Sequence, residues 1–215
     1  MKLLELFKGT GSVGKVFKNI YPEGEVYSVD ILEKYEPTWC GDIMAFDYKQ
    51  FPIGHFDIIW ASPECKIFSI LQNTWIKTDE KKRFKWNSKE HLQQVREEHG
   101  KFCKRTLEII EYLKPTWWFI ENPWTSAMKD LEHMKNLPSI RFDYCRFGYL
   151  YQKPTRIWTN RELDTMKCEC TKRHQYRLGI GKKSKFLSNT PSGDQTDINQ
   201  RYSIPPKLIE YLFKN

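Results

Sequence analysis

LELFKGTGSVG, residues 4–14, is the stretch on which the reading of the whole chain turns. An apolar run ends in three glycines, Gly9, Gly11 and Gly14, spaced G-x-G-x-x-G ahead of a helix-like stretch. Glycine permits a tight turn and a close approach of ligand to backbone, so this pattern between a strand and a helix marks a nucleotide-type site. The next apolar stretch, VYSVD, ends in Asp30. A carboxylate there can hold both hydroxyls of a ribose. The pattern suits NAD and S-adenosylmethionine equally well.

Working outward, LLELF, EVYSV, FDIIWAS and TWWFIENP read as short buried strands alternating with helical or polar stretches. That rhythm predicts βαβ units: an α/β domain whose mainly parallel sheet is covered by helices on both faces. The longest helix should begin at Ser88, a suitable N-cap, and carry Leu92, Val95, His99, Phe102, Leu107, Ile110 and Leu113 until Pro115 stops it. A second helix is expected over SAMKDLEHMKNL, an antiparallel strand pair over RFDYCRFG and TRIWT, and a last helix over PPKLIEYLF with proline in its first turn. From about Arg161 to Gln200 periodicity decays into a basic, irregular segment.

Composition limits the partners. Lysine and arginine number 35 against 27 acidic residues, a net charge of +8, and aromatic residues are abundant. Cations with rings suit a polyanion whose bases can stack, which is nucleic acid. The stretch between Lys66 and Asn87 shows this mixture, with Lys77, Lys81, Lys82, Arg83 and Lys85 among Trp75, Phe84 and Trp86. It reads as a long irregular loop suited to single-strand or flipped-base contacts. No apolar run reaches the roughly 18 residues of a membrane span. MKLLELFKG breaks too early for a signal peptide. The expectation is a soluble, intracellular, monomeric protein whose six cysteines are thiols. Cys40 and Cys103 read as small core residues.

Two strand ends carry chemistry. FDIIWA runs into SPEC, and WWFI runs into ENP. Ligands of open α/β sheets bind at the carboxyl ends of strands, so neighbouring strands would place Cys65 and Glu121 in one crevice. Hydride transfer has no need of a thiol and a carboxyl beside a nucleoside cofactor. Alkylation of a pyrimidine carbon does. A thiolate adds to carbon 6 of cytosine, a carboxyl group protonates or hydrogen-bonds the ring nitrogen, and carbon 5 becomes nucleophilic enough to attack a methyl sulfonium. Asp42, in GDI, reads either as an acceptor for an adenine amine or as a helix N-cap.

The order of these segments resembles the DNA cytosine-5 methyltransferases, in the short versions encoded by phages and large viruses. LELFKGTGSVG, VYSVD and GDI look like the family's three cofactor motifs, and SPECKIFS like its catalytic segment. WFIENP resembles the Glu-Asn-Val segment, QKPTRIW the later arginine segment, and NQRYSIPPKL the C-terminal motif that folds back on the cofactor site. The resemblance implies a class I methyltransferase Rossmann-like fold: a mostly parallel seven-stranded sheet, helices on both faces, and an antiparallel terminal strand pair. It also implies a core over 1–160, a small basic recognition segment over 161–197 and a closing segment over 198–215.

By the same resemblance, Cys65, Glu121 and Arg156 would be catalytic, Arg156 binding the carbonyl oxygen of the base and steadying the catalytic loop. S-adenosylmethionine, leaving as S-adenosylhomocysteine, would be held by Phe7, Gly9, Gly11, Ser12, Asp30 and Ile31. Asp42, Ile43, Pro63 and Ser203 would complete its site. Glu64, Ser69, Asn122, Thr155, Lys82 and Arg83 would face the substrate. The implied reaction is methylation of cytosine carbon 5 in nucleic acid, with DNA favoured. Alternatives are the same chemistry on a tRNA-like substrate and a weak or inactive nucleic-acid-binding member. For a viral or phage enzyme the setting would be the host cytoplasm.

Three departures stand out. Glu64 replaces the proline usual before the cysteine, and a nearby anion opposes thiolate formation. Pro123 stands where valine is usual, and one arginine of the usual pair is present. The recognition segment is also short for a reader of several bases. No metal is expected. Cys168, Cys170 and His174, with Cys145, are the set that could hold zinc, although C-x-C-x3-H is not a familiar zinc pairing and surface thiols are the simpler reading.

Overall fold

The structure is a computed structural model, and it describes residues 1–78, 84–149, 151–170 and 202–214. Seven strands form one sheet: β1 (Lys2–Leu6), β2 (Glu25–Asp30), β3 (Trp39–Cys40), β4 (Ile58–Ala61), β5 (Trp117–Pro123), β6 (Ser139–Asp143) and β7 (Pro154–Thr159). Their order is β3-β2-β1-β4-β5-β7-β6. The first five run parallel, while β7 is antiparallel to both β5 and β6. This is the mostly parallel sheet with an antiparallel terminal pair that the resemblance implied.

Both faces of the sheet are covered, so the central strands read as continuous apolar runs. Leu4, Leu6, Ile59, Ala61, Ile120 and Trp158 face a core that includes Leu92, Cys103, Ile109 and Leu113 of the long helix α2 (Lys89–Leu113). Leu3, Ile58, Trp60, Phe119 and Ile157 face α1 (Ser12–Ile20) and α3 (Pro206–Lys214) through Val13, Phe17, Leu208 and Phe213. The alternation follows the period of two of a strand.

The long helix begins where the sequence predicted. Ser88 Oγ accepts the amide of His91 at 3.1 Å, and the helix ends in a left-handed Lys114 just before Pro115. Other expectations need correction. SAMKDLEHMKNL forms a 3-10 turn over Ala127–Asp130 followed by turns, and no regular helix. The Oγ of Ser126 accepts from Met128 N and favours the tight turn. RFDYCRFG is strand only through Asp143; Tyr144–Phe147 turn as a 3-10 helix. Cys103 is core, but Cys40 is exposed on the short edge strand β3.

The segment after Cys65 is more ordered than its composition suggested. A 3-10 helix spans Ile70–Trp75, and Ile76 bridges Trp86. Arg96 of α2 is buried and donates to the carbonyls of Ile67 and Ser69, both at 3.2 Å. One guanidinium thereby ties the segment after Cys65 to the helix below it. Lys81, Lys82 and Arg83 lie outside the described residues.

Candidate active site

The glycine turn joins β1 to α1. Gly9 and Gly11 have positive φ, 49° and 64°, and Gly11 occupies the N-cap position of α1. Gly14 is needed for a different reason. A Cβ there would lie 2.7 Å from Glu5 Oε2, which accepts the Gly14 amide at 3.2 Å. Glu5 is buried, and desolvation pushes its carboxyl up to about 7.

Asp30 closes the turn from β2. Its Oδ2 accepts Gly9 N and its Oδ1 accepts Leu32 N, both at 2.8 Å. Phe7 is half-buried with a positive φ of 57°. Ile31 is 64% exposed beside Asp30. Asp42 is exposed and its carboxylate accepts Met44 N at 2.9 Å, capping a turn and no helix. Ile43 differs from its neighbours: its side chain is buried in the core, which leaves only its main chain for a ligand. Ser12 accepts the amide of Ile204 at 3.1 Å, and Ser203 shares a 2.7 Å hydrogen bond with Tyr149. The C-terminal segment therefore lies against the glycine turn.

At the next strand ends, β4 and β5 are paired neighbours, with Ala61 opposite Ile120. Asn122 Nδ2 donates to the buried Pro63 carbonyl at 3.0 Å and fixes the segment leading to Cys65. Asn122 Oδ1 is buried and has no partner among the described residues. Glu121 is buried on the other face of β5. It accepts the Tyr144 hydroxyl at 3.5 Å and a hydrogen bond from Ser62. Burial raises the Glu121 carboxyl above the ordinary carboxylate range. It also holds Tyr144 well above the ordinary phenol, so that hydroxyl stays a donor.

Cys65 is half-buried. Desolvation raises its thiol first and the Glu121 field adds to it, while Lys153 lowers it. Glu64 is exposed and adds least to the rise. Lys153 also lowers Glu121 and lies 4.7 Å from the centroid of the Tyr144 ring. Lys153 and Tyr144 are the site residues that motif reading missed. The available signal was topological: β7 runs antiparallel to β5, so its start returns to the strand ends where Cys65 sits. Trp124 N donating to Pro154 O at 2.9 Å records that return.

Arg156 has other partners. It donates to Ser139 Oγ at 2.6 Å and stacks 3.8 Å from the Trp124 ring centroid. Thr155 is buried, and its hydroxyl donates to the Lys153 carbonyl at 3.1 Å. Ser69 Oγ accepts Leu71 N at 3.3 Å and starts the 3-10 helix.

No family model matches the chain. A protein of Frog virus 3 (isolate Goorha), named a probable DNA (cytosine-5)-methyltransferase, is 30% identical over 222 residues, covering 99% of this chain and 98% of that protein. The chain belongs to the DNA (cytosine-5) methyltransferase family. A solved structure, the Entamoeba histolytica methyltransferase EhMeth, matches this family member with a TM-score of 0.53 at 13% identity. The match covers 79% of this chain and 57% of that one, so the chain spans little more than half of that structure's length. This likeness concerns the fold: a class I methyltransferase.

Two further groups of side chains in this methyltransferase-family chain stand apart from the glycine turn. Ile70, Leu71, Trp75 and Phe84 are exposed apolar side chains following Cys65. Lys77 lies 5.4 Å from the Phe84 ring centroid. Cys145, Cys168 and Cys170 are brought together, with their sulfurs within 4.8 Å of one another; His174 lies outside the described residues. No helix among the described residues is long and apolar enough to cross a membrane.

Proposed function

We propose that the chain transfers a methyl group from S-adenosylmethionine to carbon 5 of cytosine in nucleic acid, with DNA the favoured polymer, through a covalent Cys65 adduct. The observation that carries the reading is the meeting of Cys65, Lys153 and the buried Glu121, which accepts the Tyr144 hydroxyl, where the ends of β4 and β5 meet the start of β7. Motif order alone would not have brought a cation to the thiol.

The residues at the glycine turn fit the cofactor. Asp30 keeps lone pairs beyond the two amides it accepts, since a carboxylate offers about four acceptor positions. Ile31 presents an exposed apolar side chain beside it. When bound, S-adenosylmethionine supplies an electrophilic methyl group.

The chain's own groups do the rest. The Cys65 thiolate adds to carbon 6 and forms the sulfur–carbon bond, with Lys153 stabilising negative charge at the sulfur. Glu121 donates its proton to the ring nitrogen, and Tyr144 with Ser62 holds the carboxyl in place. The electron pair made available at carbon 5 takes the methyl group. A base then removes the carbon 5 proton, the electron pair of that bond forms the carbon 5–carbon 6 double bond as the carbon 6–sulfur bond breaks, Cys65 leaves as thiolate, and the ring nitrogen returns its proton to the Glu121 carboxylate. Arg156 positions the segment after β5 through its stack on Trp124. The cytosine must leave its stack to reach Cys65. The exposed rings and lysines after Cys65 suit the strand that results.

The test is methyl transfer from labelled cofactor to duplex DNA, single-stranded DNA and transfer RNA, with trapping on polymer containing 5-fluorocytosine. The expected result is label in DNA, a covalent adduct with the wild type, and neither with Cys65→Ala, which still binds cofactor. Label in RNA alone would overturn the DNA assignment. Equal activity in Cys65→Ala would overturn the mechanism. Cofactor and polymer binding with no transfer or adduct on any polymer would leave a binding module.

A further inference from the structure

Cys145, Cys168 and Cys170 have no part in the chemistry above, yet their sulfurs lie within 4.8 Å of one another. They come from separate stretches. Cys145 belongs to the 3-10 turn after β6, and the other two to the segment that follows β7. Main-chain pairing joins these stretches independently of the thiols. Phe142 bridges Met166, Asp143 N donates to Met166 O, and Met166 N donates to Arg141 O, both at 2.9 Å.

The carboxylate of Asp143, fully buried, then fixes the cysteine loop. It accepts Arg141 Nε at 2.9 Å and Nη2 at 3.0 Å, Gln152 Nε2 at 2.8 Å, and the amide of Cys168 at 2.9 Å. A buried charge this well satisfied is a positioning device. One more contact concerns the sulfurs directly. The amide of Cys170 donates to Cys168 Sγ at 3.5 Å. This contact fixes the orientation of the two sulfurs relative to each other.

We propose that Cys145, Cys168 and Cys170 form a site for one soft divalent metal ion of the zinc class. Zinc–sulfur bonds of ~2.3 Å place tetrahedral sulfurs ~3.8 Å apart. The observed cluster therefore closes around an ion by a shift of less than about 1 Å, within reach of side-chain rotation. Thiolate donors select zinc over magnesium or calcium. On binding, the three thiols release their protons to solvent and three sulfur–metal bonds form, with no change of oxidation state. Three thiolates leave one tetrahedral position, which water or another donor completes at the exposed side of Cys170. The ion would fix the turn in which Tyr144, next to Cys145, directs its hydroxyl to Glu121. It would also pin the start of the basic segment.

The experiment uses the full chain purified under reducing conditions without chelator. Metal content is measured by elemental mass spectrometry, and CoCl2 is titrated into metal-stripped protein. The expected result is about one zinc per chain, and cobalt absorption with a thiolate charge-transfer band and visible bands of tetrahedral type. Cys145→Ser and Cys168→Ser should lose most of the metal, while Cys40→Ser retains it. A wild type that retains no zinc and takes up no cobalt overturns the proposal. So does a persistent disulfide among the three, read by peptide mass, or full metal content in both serine variants. Should a serine variant not fold, the wild-type stoichiometry and cobalt spectrum decide alone.

Discussion

Tyr144 donates its hydroxyl to Oε1 of Glu121 across 3.5 Å, with both side chains buried. Glu121 lies on β5 and Tyr144 opens the turn after β6, and β7 separates these two strands in the sheet. Because β6 runs parallel to β5, its end delivers Tyr144 to the same edge as Glu121. Burial disfavours the charged form of the carboxyl, and the phenol fixes its orientation, as the proposed proton donor to a ring nitrogen requires.

Removing that hydroxyl tests the orientation. Tyr144→Phe should keep the fold and cofactor affinity but slow methyl transfer by roughly tenfold, the scale of one hydrogen bond. The bond favours the ionised carboxylate, so its loss should keep Glu121 protonated to a still higher pH. Carbon-13 NMR of labelled glutamate reads that change directly. An unchanged rate and titration would exclude the role.

Lys153 lowers the thiol and Glu64 raises it least, so the two charges should have unequal effects. Lys153→Gln should move the Cys65 titration to higher pH and slow its alkylation by iodoacetamide near neutrality, about tenfold if the titration midpoint moves by a full pH unit. Glu64→Gln should accelerate alkylation by a smaller factor than Lys153→Gln slows it. Peptide mass spectrometry separates Cys65 from the other thiols. A larger effect at Glu64 than at Lys153 would reverse this order of influence.

Glu5 makes stability depend on pH. Its folded carboxyl stands at about 7 against an ordinary 4.5. Between those values the folded state binds the extra proton, so this contribution to stability is fully present below 4.5 and is lost as pH rises through about 7. The span corresponds to about 3 kcal/mol. Glu5→Gln should flatten the stability profile over that window, measured by urea unfolding of the free protein at successive pH values. Parallel curves for the two proteins would show that Glu5 is not the titrating group.

Arg96 holds the segment after Cys65 by its carbonyls. Arg96→Met keeps the buried methylene stem but removes the donor to the Ile67 carbonyl, while the Ser69 carbonyl keeps the amide of Gln72, a loss of about 1–3 kcal/mol. Hydrogen exchange should accelerate over residues 66–77 more than over the amino-terminal half of α2. Uniform acceleration would mean that Arg96 stabilises only the helix.

By itself the sequence determined the elements whose signals are local: the four apolar strands, the glycine turn, the Ser88 cap and the Pro115 stop. The order of motifs also placed Cys65 and Glu121 on two strand ends. Local signals misread SAMKDLEHMKNL, where helical spacing of apolar residues is overridden by Ser126 capping a tight turn and by packing of Met128, Leu131 and Met134 into the core. Only the tertiary structure decided what surrounds the thiol. Reversal of β7 brings Lys153 back to the strand ends and leaves Arg156 stacked on Trp124, and β6 brings Tyr144 onto Glu121. The pairing of β6 with the segment around Met166 likewise collects three cysteines that C-x-C spacing alone could not assemble. The physical reason is the same in each case: a side chain's charge and ionisation depend on neighbours brought near by strand direction, and strand direction is set by long-range pairing.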